Sequence, residues 1–262
     1  MSARTILITG AAKRVGAGLA LDLAAAGHRI IVHYNQSEAD AADVVRQIET
    51  QGGTAWAVQA DLATRDGIEA LLPRARALAG PVDGLIHNAS LFEFDHLNSL
   101  DWDLFEAHQR VNLAAPAFLS RDFARQRDIE SGVIIGILDQ KVDNLNPDFL
   151  SYTLGKVGLK GLMRMLAMQL APRIRVGAVS PGLTLISGRQ TETSFATAHK
   201  ATPLGCGSSV ADLARACRFI LDTPSFTGQT ITVDGGESLM GRARDVFFDL
   251  GGRLDELPED RR

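Results

Sequence analysis

An α/β fold, built as a single doubly wound parallel sheet of about seven strands with helices on both faces, is predicted by three observations. Short apolar runs alternate with longer amphipathic stretches from the start of the chain, the pattern of parallel strands joined by helical crossovers. A glycine-rich turn, Thr9-Gly10-Ala11-Ala12-Lys13-Arg14-Val15-Gly16, lies between the first apolar run and the first amphipathic one. The 262 residues are 45% hydrophobic and 22% charged, with no linker and no internal repeat. That suits one large domain, expected over residues 1–240, with a charged, weakly patterned tail over 241–262.

Taken in order, residues 5–8 read as the first strand and 17–26 as a helix closed by Gly27. Residues 29–34 give the second strand, and Ser37 is placed to cap a helix that runs to the Gly52-Gly53 break. A third strand over 55–58, a helix over 65–79 and a fourth strand over 83–87 follow. One long helix is expected over 100–125, then a fifth strand over 132–137. The helix carrying Tyr152 should reach Leu170, ahead of a sixth strand over 174–179. From Pro181 to Gly207 no periodicity is visible, so this stretch is expected to be a lid or binding loop. A helix over 210–221 and a strand over 230–233 precede the turn Asp234-Gly235-Gly236.

The net charge of −4, with no basic stripe, argues against nucleic acid as a partner. No apolar run approaches the ~20 residues of a membrane span. The first strand begins almost at the N-terminus and leaves no room for a signal peptide, which points to the cytoplasm. Cys206 and Cys217 form neither a disulfide framework nor a metal-ligand cluster, so no metal is expected.

The glycine-rich turn is where a Rossmann-type sheet holds a dinucleotide pyrophosphate on the N–H groups of a helix N-terminus. Gly10 permits the tight turn, Gly16 the close approach of helix to strand, and Lys13, Arg14 and Val15 complete the candidate contacts. Arg14 reads either as a solvated surface residue or as a guanidinium over the pyrophosphate, facing substrate. Cofactor choice is read at the end of the second strand, where a carboxylate would bond a ribose 2′-hydroxyl and repel a 2′-phosphate. Here the strand ends His33-Tyr34-Asn35-Gln36-Ser37, with no carboxylate before Glu38. With Lys13 in the neighbouring turn, NADPH is favoured over NADH.

Tyr152 and Lys156 stand four residues apart in an apolar-periodic stretch and should share one helix face. An ammonium beside a phenol would draw its pKa down from about 10 toward neutrality, giving a group able to exchange a proton with substrate.

With these motifs in place, the chain resembles the short-chain dehydrogenase/reductase family over roughly residues 4 to 240. Asp61-Leu62 is similar to the family's adenine-contacting pair, Asn88-Ala89 to its fourth-strand end, and Asn112 to its helix Asn. Tyr152 and Lys156 match its Tyr-x-x-x-Lys, Pro181-Gly182 its nicotinamide loop, and Asp234-Gly235-Gly236 its C-terminal turn. Two departures narrow the resemblance. The family's usual catalytic Ser, thirteen residues before the Tyr, is Asp139, and the strand-end motif reads Asn88-Ala89-Ser90-Leu91-Phe92. Both resemble the pteridine reductase branch, which includes dihydromonapterin and dihydrofolate reductases of this fold.

The resemblance implies that a pterin stacks between nicotinamide and an aromatic ring, Phe92 by motif position with Phe94 as the alternative. Ser90 and Arg14 would lie near substrate and the Thr184 hydroxyl near the nicotinamide. Tyr152, hydrogen-bonded to Asp139 and tuned by Lys156, would carry the proton, and Asn112 would hold a water linking Lys156 to solvent. A homotetramer is implied in the same way, with Met163, Met165 and Met168 of the Tyr152 helix in core or subunit packing. His87 reads as a core residue, and Phe195 and His199 as lid residues within reach of substrate. The expected activity is NADPH-dependent reduction of a pterin or dihydrofolate-like substrate. The alternatives are a ketoreductase acting on a 3-oxoacyl thioester or small carbonyl compound, and a non-catalytic dinucleotide-binding sensor.

Overall fold

The computed structural model of the chain describes residues 3–186 and 191–251. Met1, Ser2, residues 187–190 of the expected lid and residues 252–262 of the expected tail lie outside the described residues.

Strand β1 (Thr5–Ile8) leads into α1 (Arg14–Ala25), followed by β2 (Arg29–Tyr34), α2 (Glu38–Thr50), β3 (Thr54–Gln59), α3 (Arg65–Ala79) and β4 (Gly84–His87). The second half runs α4 (Trp102–Gln109), α5 (Ala115–Arg125), β5 (Gly132–Ile137), α6 (Leu150–Leu170), β6 (Ile174–Pro181), α7 (Glu192–Lys200), α8 (Val210–Asp222), β7 (Thr230–Val233) and α9 (Val246–Asp249). The seven strands pair in parallel in the order β3-β2-β1-β4-β5-β6-β7. This is the single doubly wound sheet the alternation predicts. Every residue of β1 and β5 is buried, as strands covered on both faces must be. One core layer packs α1, α2 and α8 on the sheet around Ile6, Leu19 and Ile220. The other packs α3, α5 and α6 around Leu71, Phe123 and Leu159. The order reverses at β1, which lies between β2 and β4. The crevice outside the strand C-termini at that point is where such folds bind ligands.

Three expectations are corrected. The helix expected over 100–125 is two helices joined by a π-turn at Arg110–Ala114. Pro116 explains the break: it has no N–H to close the bond to the Asn112 carbonyl four residues earlier. The stretch expected to be loop between Pro181 and Gly207 contains α7, opened by a reciprocal cap between Thr191 and Ser194. Apart from Phe195, Ala198 and His199 its residues are exposed, so the core imposes no apolar period that could mark it as a helix. Ser37 does occupy the N-cap position of α2, but its side chain makes no capping hydrogen bond.

Candidate active site

The crevice is built from the ends of β1 and β4. Gly10 sits at φ +63°, and a Cβ there would lie 2.9 Å from Ala89 Cα, so the turn and the β4 end meet backbone to backbone. A Cβ on Gly16 would come within 2.2 Å of the Gly10 carbonyl. The Asn88 amide holds the two loops together, donating to the carbonyls of Thr9 and Gly10 at 2.9 and 3.0 Å. The Thr9 hydroxyl accepts from the N–H of Asn88 and of Ala89, both at 3.0 Å. His33, unassigned in the sequence, fixes the turn from behind. Its Nδ1 accepts from Gly10 N–H at 3.0 Å, and its Nε2 lies 3.0 Å from the Ala60 carbonyl. Those partners require the neutral Nε2–H tautomer, and burial pushes the ring pKa down to about 4. Helix α1 opens with no side-chain cap and no acidic residue in its first turn. Its positive end, beside Arg14 and Val15, is therefore left for an external anion.

Arg14 adopts the left-handed region at φ 54°, a strained conformation for a non-glycine residue. Its guanidinium reaches across the crevice to the Ile186 carbonyl at 2.7 Å. At the end of β2, the Asn35 amide donates to Asp61 at 3.4 Å, and Lys13 pairs with Asp40 at 3.0 Å with both side chains half-exposed. Tyr34 is partly buried against the α1–α2 core layer. Asp61 closes a turn by accepting from Ala63 N–H at 2.9 Å, and the Leu62 side chain packs into the core.

The catalytic candidates meet on the β5 side. Tyr152 donates its hydroxyl to Asp139 Oδ2 at 2.7 Å, and Asp139 Oδ1 accepts the Lys141 N–H at 2.8 Å. Lys156 donates to the Ile137 carbonyl at 2.8 Å, with its ammonium 5.7 Å from the Tyr152 ring centroid. The expected effect on the phenol is reversed. Burial, then the charge of Asp139 and the hydrogen bond to it, push the Tyr152 pKa upward. Burial also raises Asp139, although Tyr152, Lys141 and Lys156 act to lower it. Burial brings Lys156 down to about 8 despite Asp139. The carboxyl and phenol thus form a pair that retains a proton.

Asn112 turns its amide toward the β4 end: Oδ1 accepts from Leu91 N–H at 2.9 Å and from the Ser90 hydroxyl at 3.2 Å, and Nδ2 donates to the Leu91 carbonyl at 2.9 Å. Phe92 is 41% exposed and Phe94 only 3%. Phe92 stacks on Phe149 with centroids 4.5 Å apart and meets Tyr152 edge-on at 4.7 Å. Phe92 is therefore the ring at the surface of the site, and Phe94 is buried edge-on against Phe149, with centroids 5.2 Å apart. Beyond β6, the Thr184 hydroxyl donates to the Gly182 carbonyl at 2.9 Å and lies 2.6 Å from Ser208 Oγ. The buried Glu237 accepts the Leu183 N–H at 3.3 Å, and burial pushes its pKa up to about 7. Gly182 N–H donates to the Val233 carbonyl at 3.0 Å, tying the Pro181-Gly182 segment to β7.

His87 is buried with Nε2 2.9 Å from Ser120 Oγ, a core residue as expected. The His199 ring lies tilted against Phe195, with centroids 5.1 Å apart, and accepts the Gly207 N–H at 3.1 Å, so it braces the loop on which Ser208 sits. Met163 is in the core, whereas Met165 and Met168 are exposed. Sequence reasoning also missed Asp95. It caps α6 from 56 residues away, accepting the Ser151 N–H at 3.0 Å and the Ser151 hydroxyl. Among the described residues, no helix is long and apolar enough to cross a membrane.

Comparison with known proteins places this geometry among relatives. Residues 4–196 match the short chain dehydrogenase family. The chain is 31% identical over 242 residues to a 3-oxoacyl-[acyl-carrier-protein] reductase of Synechocystis, with 90% of this chain and 97% of the relative covered. An uncharacterized oxidoreductase of Methylorubrum extorquens is 32% identical over 244 residues, covering 90% and 98%. Among solved structures, FolM alternative dihydrofolate reductase 1 from Brucella canis, complexed with NADP, superimposes with a TM-score of 0.84 at 36% identity, covering 90% of this chain and 94% of that one.

Proposed function

Because the chain belongs to the short-chain dehydrogenase family, a family of oxidoreductases, we propose that it is an NADPH-dependent reductase of a pterin or dihydrofolate-like substrate. The observation that carries this reading is the Tyr152–Asp139 hydrogen bond of 2.7 Å, a carboxyl standing against the catalytic phenol. A pterin accepts hydride at a ring carbon next to nitrogen, and that nitrogen then needs a proton. The Asp139–Tyr152 pair is suited to hold one until it is needed. Lys156 keeps positive charge behind the pair. The flat, electron-poor pterin ring suits the exposed face of Phe92, and Ser90 and Arg14 offer donors at its edge.

The cofactor fits the residues present. The open N-terminus of α1 suits a pyrophosphate, and Lys13, Asn35 and Ser37, with no carboxylate before Glu38, suit a 2′-phosphate. Bound NADPH would supply the hydride from its nicotinamide ring. The Brucella relative, complexed with NADP, supports both cofactor and substrate class.

The 3-oxoacyl reductase relatives favour a second reading, reduction of a ketone. That reaction needs a neutral donor on the developing alkoxide beside Tyr152, and Asp139, standing where the family has a Ser hydroxyl, supplies one only while it holds a proton. The two readings separate in one assay: NADPH oxidation by the purified protein, followed at the nicotinamide absorbance, with dihydropterin and dihydrofolate beside a panel of ketones. Turnover of dihydropterin or dihydrofolate is expected, and its loss by at least about tenfold in Asp139→Ser. Turnover of ketones alone sinks the pterin reading and leaves the oxidoreductase.

A further inference from the structure

The segment after the last strand reaches back to the loop that carries Asp139. Asp245 Oδ2 pairs with Lys141 Nζ at 2.6 Å, and the Lys141 side chain is only 3% exposed. The same ammonium lies 5.3 Å from the Phe149 ring centroid, and the Lys141 N–H binds Asp139. One residue earlier, Arg244 grips Asp148 with three hydrogen bonds of 2.8 to 3.1 Å. Asp148 also accepts the Asp245 N–H at 2.7 Å. Phe248 then packs on Phe94 with centroids 5.3 Å apart. Two consecutive residues thus clamp both ends of the Asp139–Phe149 connection, which links the Asp139 carboxyl to the helix bearing Tyr152.

We propose that Asp245, with Arg244, is a positioning residue of the active site: it holds the Asp139 loop in register with Tyr152 and balances the Lys141 charge beside the proton-holding pair. The proposal rests on the roles given above to Asp139 and Tyr152, but not on the identity of the substrate. The charged and titratable groups around Asp139 are Tyr152 and Lys156 from α6, Lys141 from its own turn, Asp245 from the C-terminal segment and Glu237 from the turn after β7. Removing the Asp245 charge leaves the Lys141 ammonium unopposed, and an unopposed cation favours ionised Asp139. The pair would then lose its proton at lower pH.

The test is Asp245→Asn, which keeps an acceptor for Lys141 and for the Phe247 N–H that Asp245 caps. Turnover should fall about tenfold, as expected for a misplaced catalytic group. The KM for NADPH should stay within about twofold of the parent. The basic limb of the pH–kcat profile should move down by about 0.5–1 unit. Hydrogen exchange of the amides over residues 140–149 should accelerate, a readout that needs no substrate. In the double variant Lys141→Met/Asp245→Asn the limb should return toward the parent while the exchange stays fast, since charge balance is restored and the clamp is not. The kinetic arm uses whichever substrate, pterin or ketone, the parent turns over, so failure of the pterin assignment leaves it readable. A parent-like limb together with parent-like exchange in Asp245→Asn overturns the proposal.

Discussion

A phenol held 2.7 Å from a carboxylate is a different acid from a phenol beside an ammonium. The four-residue spacing correctly places Tyr152 and Lys156 on one helix face. It carries no information on which neighbour the hydroxyl meets, and the one it meets is Asp139, thirteen residues back in the sequence. In the proposed pterin reaction the pair would hold the Tyr152 proton and release it once hydride transfer has made the substrate nitrogen basic enough to take it. Tyr152→Phe tests this at the residue. The substitution deletes the proton and leaves the ring packed against Phe92. Steady-state turnover should drop by about 10²–10⁴, the usual contribution of a general acid. NADPH binding, followed by nicotinamide fluorescence, should change by less than about twofold, because Tyr152 lies away from the phosphate turn. Full turnover in this variant removes Tyr152 from the mechanism.

At the scale of elements, the site depends on pieces that fold next to it from far away in sequence. Helix α6 begins after Phe149, a non-glycine residue at φ 56° that provides no side-chain cap. Asp95 supplies the cap, and Asp245 and Arg244 brace the connection ahead of it. The loop after β6 is held similarly by Glu237, whose carboxyl pKa rises from 4.5 to about 7 on burial. Between those two values the native chain binds more protons than the unfolded one. The contribution of Glu237 to stability therefore falls as pH rises through that window and stays low above it. Glu237→Gln keeps an acceptor for Leu183 and removes the ionisation. Its Tm should match the parent near about pH 5 and exceed it near about pH 8, by about 2–4 °C for each kcal/mol in a domain of this size. A thermal melt at both pH values checks it; equal Tm values at the higher pH refute it. Strands, crossover helices and the phosphate turn were legible because each is written locally, as apolar period, glycine and proline. The π-turn was present in the sequence as Pro116 but hidden inside an otherwise helical pattern. Helix α7 lacked the buried face that produces a pattern. His33, Asp95, Glu237 and the Lys141–Asp245 pair were illegible for one reason: a polar residue gets its role from a partner 23 to 104 positions distant, and spacing records nothing of that.

Across the whole molecule, the proposed cofactor would touch three separately anchored pieces: the α1 N-terminus, the end of β2 and the segment after β6. Asn88 and His33 already lock the first of these to β4 and β3. A ligand that bridges the pieces binds the folded chain alone, so it stabilises by RT ln(1 + [L]/Kd). At a hundredfold excess over Kd this is about 2.7 kcal/mol, which corresponds to a rise in Tm of roughly 5–10 °C. NADPH and NADH differ by the 2′-phosphate, and the proposed site for it is the end of β2. Lys13 is the formal cation there, and it is shared with Asp40 at 3.0 Å. A bound 2′-phosphate would compete for that ammonium with a half-exposed carboxylate, a contest that the doubly charged phosphate wins. At equal concentration NADPH should therefore raise Tm by several degrees more than NADH, and Lys13→Ala should narrow that gap while leaving the NADH shift unchanged. Differential scanning fluorimetry of parent and variant with each nucleotide reads both. Equal shifts for the two nucleotides in the parent would mean that the β2 end does not select the 2′-phosphate. A gap that survives Lys13→Ala would instead move the selection to Asn35, Ser37 and the backbone around them.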